Sequence, residues 1–278
     1  IAGAGAAGMA AALYASIAGQ KVLLIERTEL LGGTTALSAG TVWAPNTHHT
    51  EGTDDTPEQA ARFLDNVVGN YARPSMRRAF LASAPDAIKA LDDHTDVKFR
   101  PYPLHPDYVQ EVEGATLRGR ALEPLPFDGR ELGKAFALLR PPIPEFTVFG
   151  GMMVNRGDID HLMKLTKSGA SFLHAAGLLA RHASDRLRYP RGTRLVMGNA
   201  LAARLIASLL KRDIDIVLET SVAALSNDQN TVTGVTLTSG DVSRQIEASK
   251  AVILAGGGFT RHPSHRADML TKPVPEFS

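Results

Sequence analysis

The 278-residue sequence contains no cysteine, only one tryptophan and almost no net charge. The absence of cysteine excludes disulfide scaffolds, cysteine-ligated zinc, iron–sulfur clusters and cysteine nucleophiles, and it agrees with a cytoplasmic location. The 30 basic and 29 acidic side chains leave a net charge of +1. General nucleic-acid binding is therefore not expected, because phosphate contacts need clustered positive charge. No uncharged apolar run reaches about 18 residues, so no transmembrane helix is expected.

The composition is that of a folded α/β protein rather than a disordered chain. Hydrophobic residues make up 44% of the sequence and charged residues 21%, both near the globular average. The length corresponds to about two domains, or to one large α/β domain with an insertion.

Three glycines near the start, Gly3, Gly5 and Gly8, form a G-x-G-x-x-G pattern. Residues 9–17 follow with many alanines and leucines, which favour a helix, and Gly19 is placed to end it. In a turn of this kind the glycines allow a tight bend and a close approach of a diphosphate to the backbone. The first turn of the helix then offers free N–H groups and partial positive charge to that diphosphate.

A short apolar run and an acidic residue complete the nucleotide-binding pattern. Residues 21–25 read as a buried parallel strand, and Glu26 follows it, 23 positions after Gly3. This is close to the separation of about 20 residues expected for the carboxylate that binds a ribose. An Ala- and Gly-rich turn without a ligand is the alternative interpretation.

The two ends of the sequence suggest a piece of a longer protein. Residue 1 is isoleucine rather than methionine, and almost no strand precedes Gly3, so we expect a few preceding residues to be missing. The uncharged residues 1–20 also permit a signal peptide, although a basic segment is lacking and the glycine spacing favours the nucleotide turn. The sequence ends in a loop-like stretch.

The segment 32–40 favours a flavin dinucleotide over a nicotinamide one. It is rich in glycine and hydroxyl residues where a simple NAD domain would continue into its next helix. Such a run supplies bare backbone N–H groups and hydroxyl donors along a longer ligand. A plain surface loop is the alternative.

The sequence resembles the FAD-dependent fumarate reductase and 3-ketosteroid dehydrogenase flavoproteins, and it is most similar to the ketosteroid branch. The resemblance is carried by GAGAAG (3–8), LLIER (23–27), GGTTALSAGTVWAPN (32–46), EPLPFDGRELG (123–133) and VILAGGGF (252–259). It implies an α/β, Rossmann-like FAD-binding domain with a parallel sheet, a three-stranded antiparallel crossover and a helical and loop insertion. FAD is the cofactor it implies.

The resemblance also assigns cofactor-binding residues. The diphosphate would lie against Gly3, Gly5, Ala6, Ala7 and Gly8, the adenosine ribose beside Glu26 and Arg27, and the adenine beside Val222. The path toward the isoalloxazine would be lined by Gly33, Thr34, Thr35, Ser38, Ala39 and Gly40, and the backbone of Ala255, Gly256 and Gly257 would approach the cofactor closely. Gly256 departs from the family, which usually has threonine there.

Tyr108 is the candidate catalytic residue, because the family has a tyrosine in a similar Asp-Tyr context. Its phenol can donate to a ketone oxygen or relay a proton. Val-Gln-Glu follows Tyr108, where the family usually has Tyr-Pro-Glu. A surface or pocket-wall tyrosine is the alternative.

The pattern along the chain predicts one main domain. Residues 1–264 form the FAD-binding domain, with an insertion at 45–150, and residues 265–278 begin a truncated substrate domain. Helices are expected from residue 57 and over about 74–93 and 157–188. The residues expected to face inward are Ala60, Phe63, Leu64, Val67, Phe80, Ala84, Ala87, Ile88 and Leu91. An antiparallel meander is expected over 222–246.

The predicted reaction is desaturation of a C–C bond beside the ketone of a steroid-like small molecule, with an electron acceptor to reoxidise the flavin. Fumarate-reductase-like reduction of an enoate and a non-catalytic FAD-binding module are the alternatives. No metal site is predicted, since His174 and His182 lack metal-ligand spacing. The arginines of 181–194 are interpreted as a solvated face or partner contact, with peripheral contact to an anionic membrane as the alternative.

Overall fold

A computed structural model describes residues 1–50, 52–53, 55–259 and 262–272. The α-helices in this part are α1 (Ala6–Ile17), α2 (Pro57–Val68), α3 (Pro74–His94), α4 (Arg156–Met163), α5 (Gly169–Arg186), α6 (Met197–Leu210) and α7 (Pro263–Met269). The strands are β1 (Val22–Ile25), β2 (Val42–Trp43), β3 (Phe99–Pro101), β4 (Ala121–Pro124), β5 (Phe127–Asp128), β6 (Thr147–Val148), β7 (Met152–Met153), β8 (Arg194–Leu195), β9 (Ile214–Val217), β10 (Ser221–Asp228), β11 (Thr231–Ser239) and β12 (Val242–Glu247). Short 3-10 helices begin at Thr35, His48, Gly129 and Pro144.

The glycine turn follows a short stretch of chain that lies between two parallel neighbours in the sheet. Strand β1 pairs in parallel with β9, so that Val22 lies opposite Ile214. Ala2 forms parallel bridges to both Ile25 and Leu254, which brings the segment before the turn between β1 and the last glycine-rich stretch. Helix α1 packs against β1 and α6, and Leu24 is fully buried in this core. The predicted α/β fold with a parallel sheet is confirmed.

The predicted three-stranded antiparallel crossover is also present. Strands β10, β11 and β12 pair in that order, and β10 lies at the edge. Their apolar side chains Val235 and Leu237 pack with Ile25, and Val222 packs against the same cluster. The crossover thereby places Val222 beside the strand that ends at Glu26.

The helices of the insertion begin and end close to the predicted positions. Thr56 caps α2 through a capping box with Gln59, with Pro57 at the first helical position. In α3 the predicted inward residues Ala84, Ile88 and Leu91 are buried.

The prediction was wrong for Val67 and Phe80, whose exposed fractions are 38% and 41%. Phe80 covers Trp43 instead, with stacked rings whose centroids are 5.9 Å apart. It therefore turns one face to another aromatic ring and the other to solvent, which a count of helical spacing does not distinguish from full burial.

The helix expected over 157–188 is two helices, α4 and α5. The side chains of Asn155 and Ser168 each accept a hydrogen bond from the first turn of the helix that follows. Each of these two N-caps, thirteen residues apart, satisfies free amides at the start of its own helix, so the helical segment is interrupted between them.

Three of the arginines in 181–194 turn inward rather than forming one solvated face. Arg181 pairs with Asp128 at 2.8 Å and Arg194 with Asp158 at 2.8 Å. The Arg191 guanidinium donates to Asn199 Oδ1 at 3.1 Å, and burial lowers the pKa of this group to about 10. Along the part of the chain described here, no helix combines the length and apolarity that crossing a bilayer requires.

Candidate cofactor site

A cavity of about 680 Å³ opens where the glycine turn, the end of β1 and the start of β10 meet. It is lined by Ala2, Gly3, Gly5, Ile25, Glu26, Arg27, Thr28, Gly33, Thr34, Leu37, Arg140, Thr220, Ser221, Val222, Leu254, Ala255, Gly256, Gly257 and Gly258. Ten of the sequence-predicted binding residues are therefore together in one place. They lie at the carboxyl ends of parallel strands, where ligands bind in open α/β sheets.

The three glycine positions of the turn differ in how much room they leave for a side chain. A Cβ on Gly3, whose φ is +106°, would lie 2.3 Å from the Ala255 carbonyl oxygen, and a Cβ on Gly8 would lie 1.7 Å from the Gly3 carbonyl oxygen. A Cβ on Gly5 would meet nothing within 4 Å. Gly3 and Gly8 are thus required by packing, whereas Gly5 leaves its backbone open to the cavity.

The beginning of α1 faces this turn. Gly5 occupies the N-cap position and offers no side chain to the helix amides. The Ala6 amide donates to Thr35 Oγ1 at 3.0 Å, and Ala7 is exposed. Thr35, which is distant in sequence, therefore takes the place of an N-cap side chain for this helix. The residues lining the cavity do not include Ala6, Ala7, Gly8 or Thr35.

Glu26 is fixed at the cavity wall by three hydrogen bonds. Its Oε2 accepts from the Ala4 amide at 2.8 Å, and its Oε1 accepts from the amide and the hydroxyl of Thr28, both at 3.0 Å. The side chain is only 8% exposed. Because a carboxylate has about four acceptor positions, Glu26 keeps capacity for a hydroxyl donor from the cavity side.

The segment 32–40 divides into two parts. Gly33 and Thr34 line the cavity, and a Cβ on Gly33 would lie 3.1 Å from the Gly5 Cα. Beyond them the chain packs on the beginning of α6, so that a Cβ on Gly40 would lie 2.6 Å from the Gly198 amide nitrogen.

The hydroxyl of Ser38 stays within its own loop. It donates to the Thr35 carbonyl oxygen at 2.8 Å and accepts from the Gly40 amide at 3.0 Å. Ser38, Ala39 and Gly40 do not line the cavity in this structure. Ser38 and Ala39 are nevertheless exposed on the same loop, while Gly40 is buried.

The opposite wall comes from β10 and from the segment after Leu254. Val222 lies on the edge strand of the crossover sheet, so its backbone is accessible from the cavity side. Gly256 and Gly257 have open space where a side chain would stand. The loss of the family's threonine at Gly256 leaves backbone alone at this position.

Sequence reasoning missed several lining residues, four of which have polar side chains: Thr28, Arg140, Thr220 and Ser221. Thr28 lies two positions after Glu26, so its hydroxyl could have been noticed from that proximity. Arg140 is 112 positions away, yet its Nη2 donates to Thr28 Oγ1 at 3.1 Å. No local pattern indicates a contact of that sequence separation.

Tyr108 lies outside the cavity lining and is 94% exposed. Its neighbour Asp107 is buried, and it accepts from Trp43 Nε1 at 2.7 Å and from the Thr116 amide at 3.0 Å. The Arg120 guanidinium pairs with the same carboxylate at 2.8 Å. Tyr108 is thus exposed to solvent, and its neighbour Asp107 is tied to Trp43, which lies on the strand that follows the 32–40 loop.

The histidines considered from the sequence have protein partners. His174 Nε2 lies 3.0 Å from Asp158 Oδ1, and His182 Nε2 lies 2.9 Å from the Phe149 carbonyl oxygen. A different group, which the sequence analysis did not consider, is formed by His48, His49 and Asp92, whose ligand atoms lie within 4.8 Å of one another. Both imidazoles contact one oxygen of the Asp92 carboxylate, at 2.8 and 2.6 Å.

Comparisons with known proteins agree with this geometry. The family model described as "FAD binding domain" matches residues 1–278. The 4-oxocyclohex-2-ene-1-carboxylate 5-dehydrogenase of Sinomonas cyclohexanicum is 35% identical over 94% of this chain and 44% of its own length. The 3-oxosteroid 1-dehydrogenase of Mycolicibacterium smegmatis is 30% identical over 99% of this chain and 49% of its own length.

A solved structure gives the same result at the level of the fold. The 3-ketosteroid delta1-dehydrogenase of Sterolibacterium denitrificans, in complex with 1,4-androstadiene-3,17-dione, superposes with a TM-score of 0.87 and 31% identity, over 99% of this chain and 50% of that one. The chain spans about half the length of the relatives it matches. The expected resemblance to ketosteroid dehydrogenase flavoproteins is confirmed, and the chain belongs to the FAD-binding-domain family, with FAD as its cofactor.

Proposed function

We propose that this chain carries the FAD site of an oxidoreductase that desaturates a C–C bond beside a ketone, in the manner of a 3-ketosteroid 1-dehydrogenase. The main support is that the open backbone of Gly5, the carboxylate of Glu26 and the edge of β10 at Val222 line the same cavity. These are the three contacts that the diphosphate, ribose and adenine of a dinucleotide need.

Each predicted residue has a proposed part in holding the cofactor. The backbone of Gly3, Gly5, Ala6, Ala7 and Gly8 surrounds the diphosphate, and Gly3 and Gly8 also fix the shape of the turn. Glu26 accepts the ribose hydroxyls, and Arg27 covers the ribose from the exposed side. The remaining proposed contacts, toward the isoalloxazine and along the far wall, are Gly33, Thr34, Thr35, Ser38, Ala39, Gly40, Ala255, Gly256 and Gly257. When bound, FAD supplies the acceptor for a hydride from the substrate's β carbon.

The proposed substrate is a cyclic ketone. Two of the relatives, a 3-oxosteroid 1-dehydrogenase and a 4-oxocyclohex-2-ene-1-carboxylate 5-dehydrogenase, are both named as dehydrogenases of a ring that carries a ketone. Reoxidation requires a separate electron acceptor. Fumarate-like enoate reduction is the second candidate reaction, favoured by a 25% identical NADH:fumarate oxidoreductase of Klebsiella pneumoniae.

The direct test uses the full-length protein, purified and mixed with a 3-ketosteroid and an artificial electron acceptor. We expect the visible absorbance of bound oxidised flavin and loss of that absorbance on adding the ketone without acceptor. Turnover of fumarate with a reduced dye, and none of the ketone, would favour the second candidate. Purified protein without flavin absorbance, even after incubation with FAD, would contradict both reactions.

Tyr108 is proposed to donate its phenol proton toward the substrate ketone. Its exposure leaves the hydroxyl free, and the buried Asp107 holds the backbone beside it. We expect Tyr108→Phe to lower kcat by about 10²- to 10⁴-fold with a small change in KM, as for loss of a general acid. Tyr71→Phe is the matched control, since Tyr71 is 95% exposed and has no assigned role. An unchanged kcat in Tyr108→Phe would assign Tyr108 to the surface instead.

The domain organisation completes the proposal. Residues 1–264 are assigned to the FAD-binding domain with its insertion at 45–150, and residues 265–278 to the start of a substrate domain, of which 273–278 lie outside the described residues. A cytoplasmic location is proposed from the lack of cysteine. Membrane contact through 181–194 is disfavoured, because Arg181 and Arg194 are already paired internally.

A further inference from the structure

Arg140 brings a positive charge to the cofactor cavity without an acidic partner. Among the described residues its side chain has one hydrogen bond, from Nη2 to Thr28 Oγ1 at 3.1 Å, and no ion pair. Its Nε is buried and donates to no protein acceptor. An arginine held inside a protein usually meets a carboxylate or another anion, because desolvating its charge is costly otherwise.

The main chain of Arg140 is fixed beside the glycine-rich loop. Its amide donates to the Leu31 carbonyl oxygen at 2.9 Å, and its carbonyl oxygen accepts from Asn199 Nδ2 at 2.8 Å. A Cβ on Gly32 would lie 3.8 Å from the Arg140 Cβ, and the following Gly33 packs against Gly5. The backbone of Arg140 therefore lies beside the loop that packs on Gly5, the open glycine of the turn.

Of the two cationic side chains that line the cavity, Arg140 is the one held in place by a protein contact. The charged lining residues are Glu26, Arg27 and Arg140. Arg27 is exposed and has no hydrogen-bond or ion-pair partner within the described part of the chain, whereas Arg140 is half-buried and donates to Thr28. A diphosphate brings two negative charges, and arginine's planar fork suits phosphate oxygens.

We propose that Arg140 binds the diphosphate of the dinucleotide, opposite the backbone amides of the Gly3–Gly8 turn. The inference rests on the proposed placement of the cofactor in this cavity. Thr28 connects the two binding groups, because its hydroxyl contacts both the Arg140 guanidinium and the Glu26 carboxylate. One short chain of hydrogen bonds thus links the group that holds the diphosphate to the group that holds the ribose.

Binding of ADP and of adenosine to the full-length apoprotein, measured by calorimetry, separates a phosphate contact from a general effect on the site. We expect Arg140→Met to weaken ADP and FAD binding on the order of 10- to 100-fold, the loss that follows removal of a charged hydrogen bond. Adenosine affinity should change less than about threefold on the same scale. Arg186→Met is the matched control, since Arg186 is exposed and its removal changes the net charge equally.

The second variant, Arg140→Lys, keeps the charge but not the fork, and it should lie between wild type and Arg140→Met in ADP affinity. Raising the salt concentration should weaken ADP binding less in Arg140→Met than in wild type, because one phosphate contact is missing. Equal loss of ADP and adenosine affinity, or wild-type ADP affinity in either variant, would overturn the role of Arg140. Wild-type protein that binds neither FAD nor ADP would overturn the proposed cofactor placement itself, a result visible before any variant is made.

Discussion

Replacing Gly8 with alanine is expected to destabilise the apoprotein severely, whereas Gly5→Ala is expected to leave the fold intact and to abolish tight FAD binding. The new methyl group at Gly8 would stand 1.7 Å from the Gly3 carbonyl oxygen, a backbone atom that cannot move without opening the turn. The cost should reach or exceed the upper end of the range of about 1–3 kcal/mol seen for overpacked cores. At Gly5 the methyl group has free space in the apoprotein but points where the diphosphate would approach.

Thermal unfolding without FAD, followed by FAD titration, measures the two effects separately. Gly5→Ala should keep a Tm within a few degrees of wild type, because N-cap alanine costs at most about 1 kcal/mol relative to glycine. Gly177→Ala serves as the control, since Gly177 lies inside α5, does not line the cavity and has nothing near its Cβ. If Gly5→Ala bound FAD as tightly as wild type, the diphosphate would not lie over the turn.

The sequence was most informative where a feature is contained in a short stretch of chain. The glycine turn, the helix after it, β1 and Glu26 follow one another within 26 residues, and each obeys a local rule of backbone geometry or burial. The crossover strands were equally readable, because two turns rich in Asn, Asp, Ser and Gly separate three alternating runs. Local chemistry dictates these elements before any tertiary contact forms.

The sequence was least informative where the site is assembled from distant segments. The Ala6 amide donates to the Thr35 hydroxyl, 29 positions away, a contact that neither segment indicates by itself. Arg140 reaches Thr28 across 112 positions. Such contacts depend on how α6 and the 32–40 loop pack, and periodicity carries no information about that packing.

The arginine-rich stretch 181–194 illustrates the same limit for charge. A run of like charges predicts a solvated face, yet Arg194 meets Asp158 and Arg181 meets Asp128. Each partner lies on a different element, α4 and β5. Charge density along a chain therefore predicts exposure only when the acids that can reach it are also known.

Removing the guanidinium of Arg120 should destabilise the insertion more than removing any exposed arginine. The side chain is 1% exposed and pairs with Asp55 at 2.6 Å and Asp107 at 2.8 Å, both of which are buried. Arg120→Met would leave two carboxylates without a counter-charge away from water. Breaking a buried pair in this way costs about 3–5 kcal/mol, because the remaining charge stays desolvated.

The exposed pair of Arg62 and Glu113 provides the contrast within the same insertion. Its N···O distance is also 2.6 Å, but the two side chains are 58% and 71% exposed. Chemical denaturation of both methionine variants should therefore show a large loss of unfolding free energy for Arg120→Met and little or none for Arg62→Met. Equal losses would mean that distance rather than burial decides the strength of these pairs. A folded Arg120→Met protein should also show reduced kcat, because Asp107 would no longer be held against Trp43 and the backbone that presents Tyr108 would loosen.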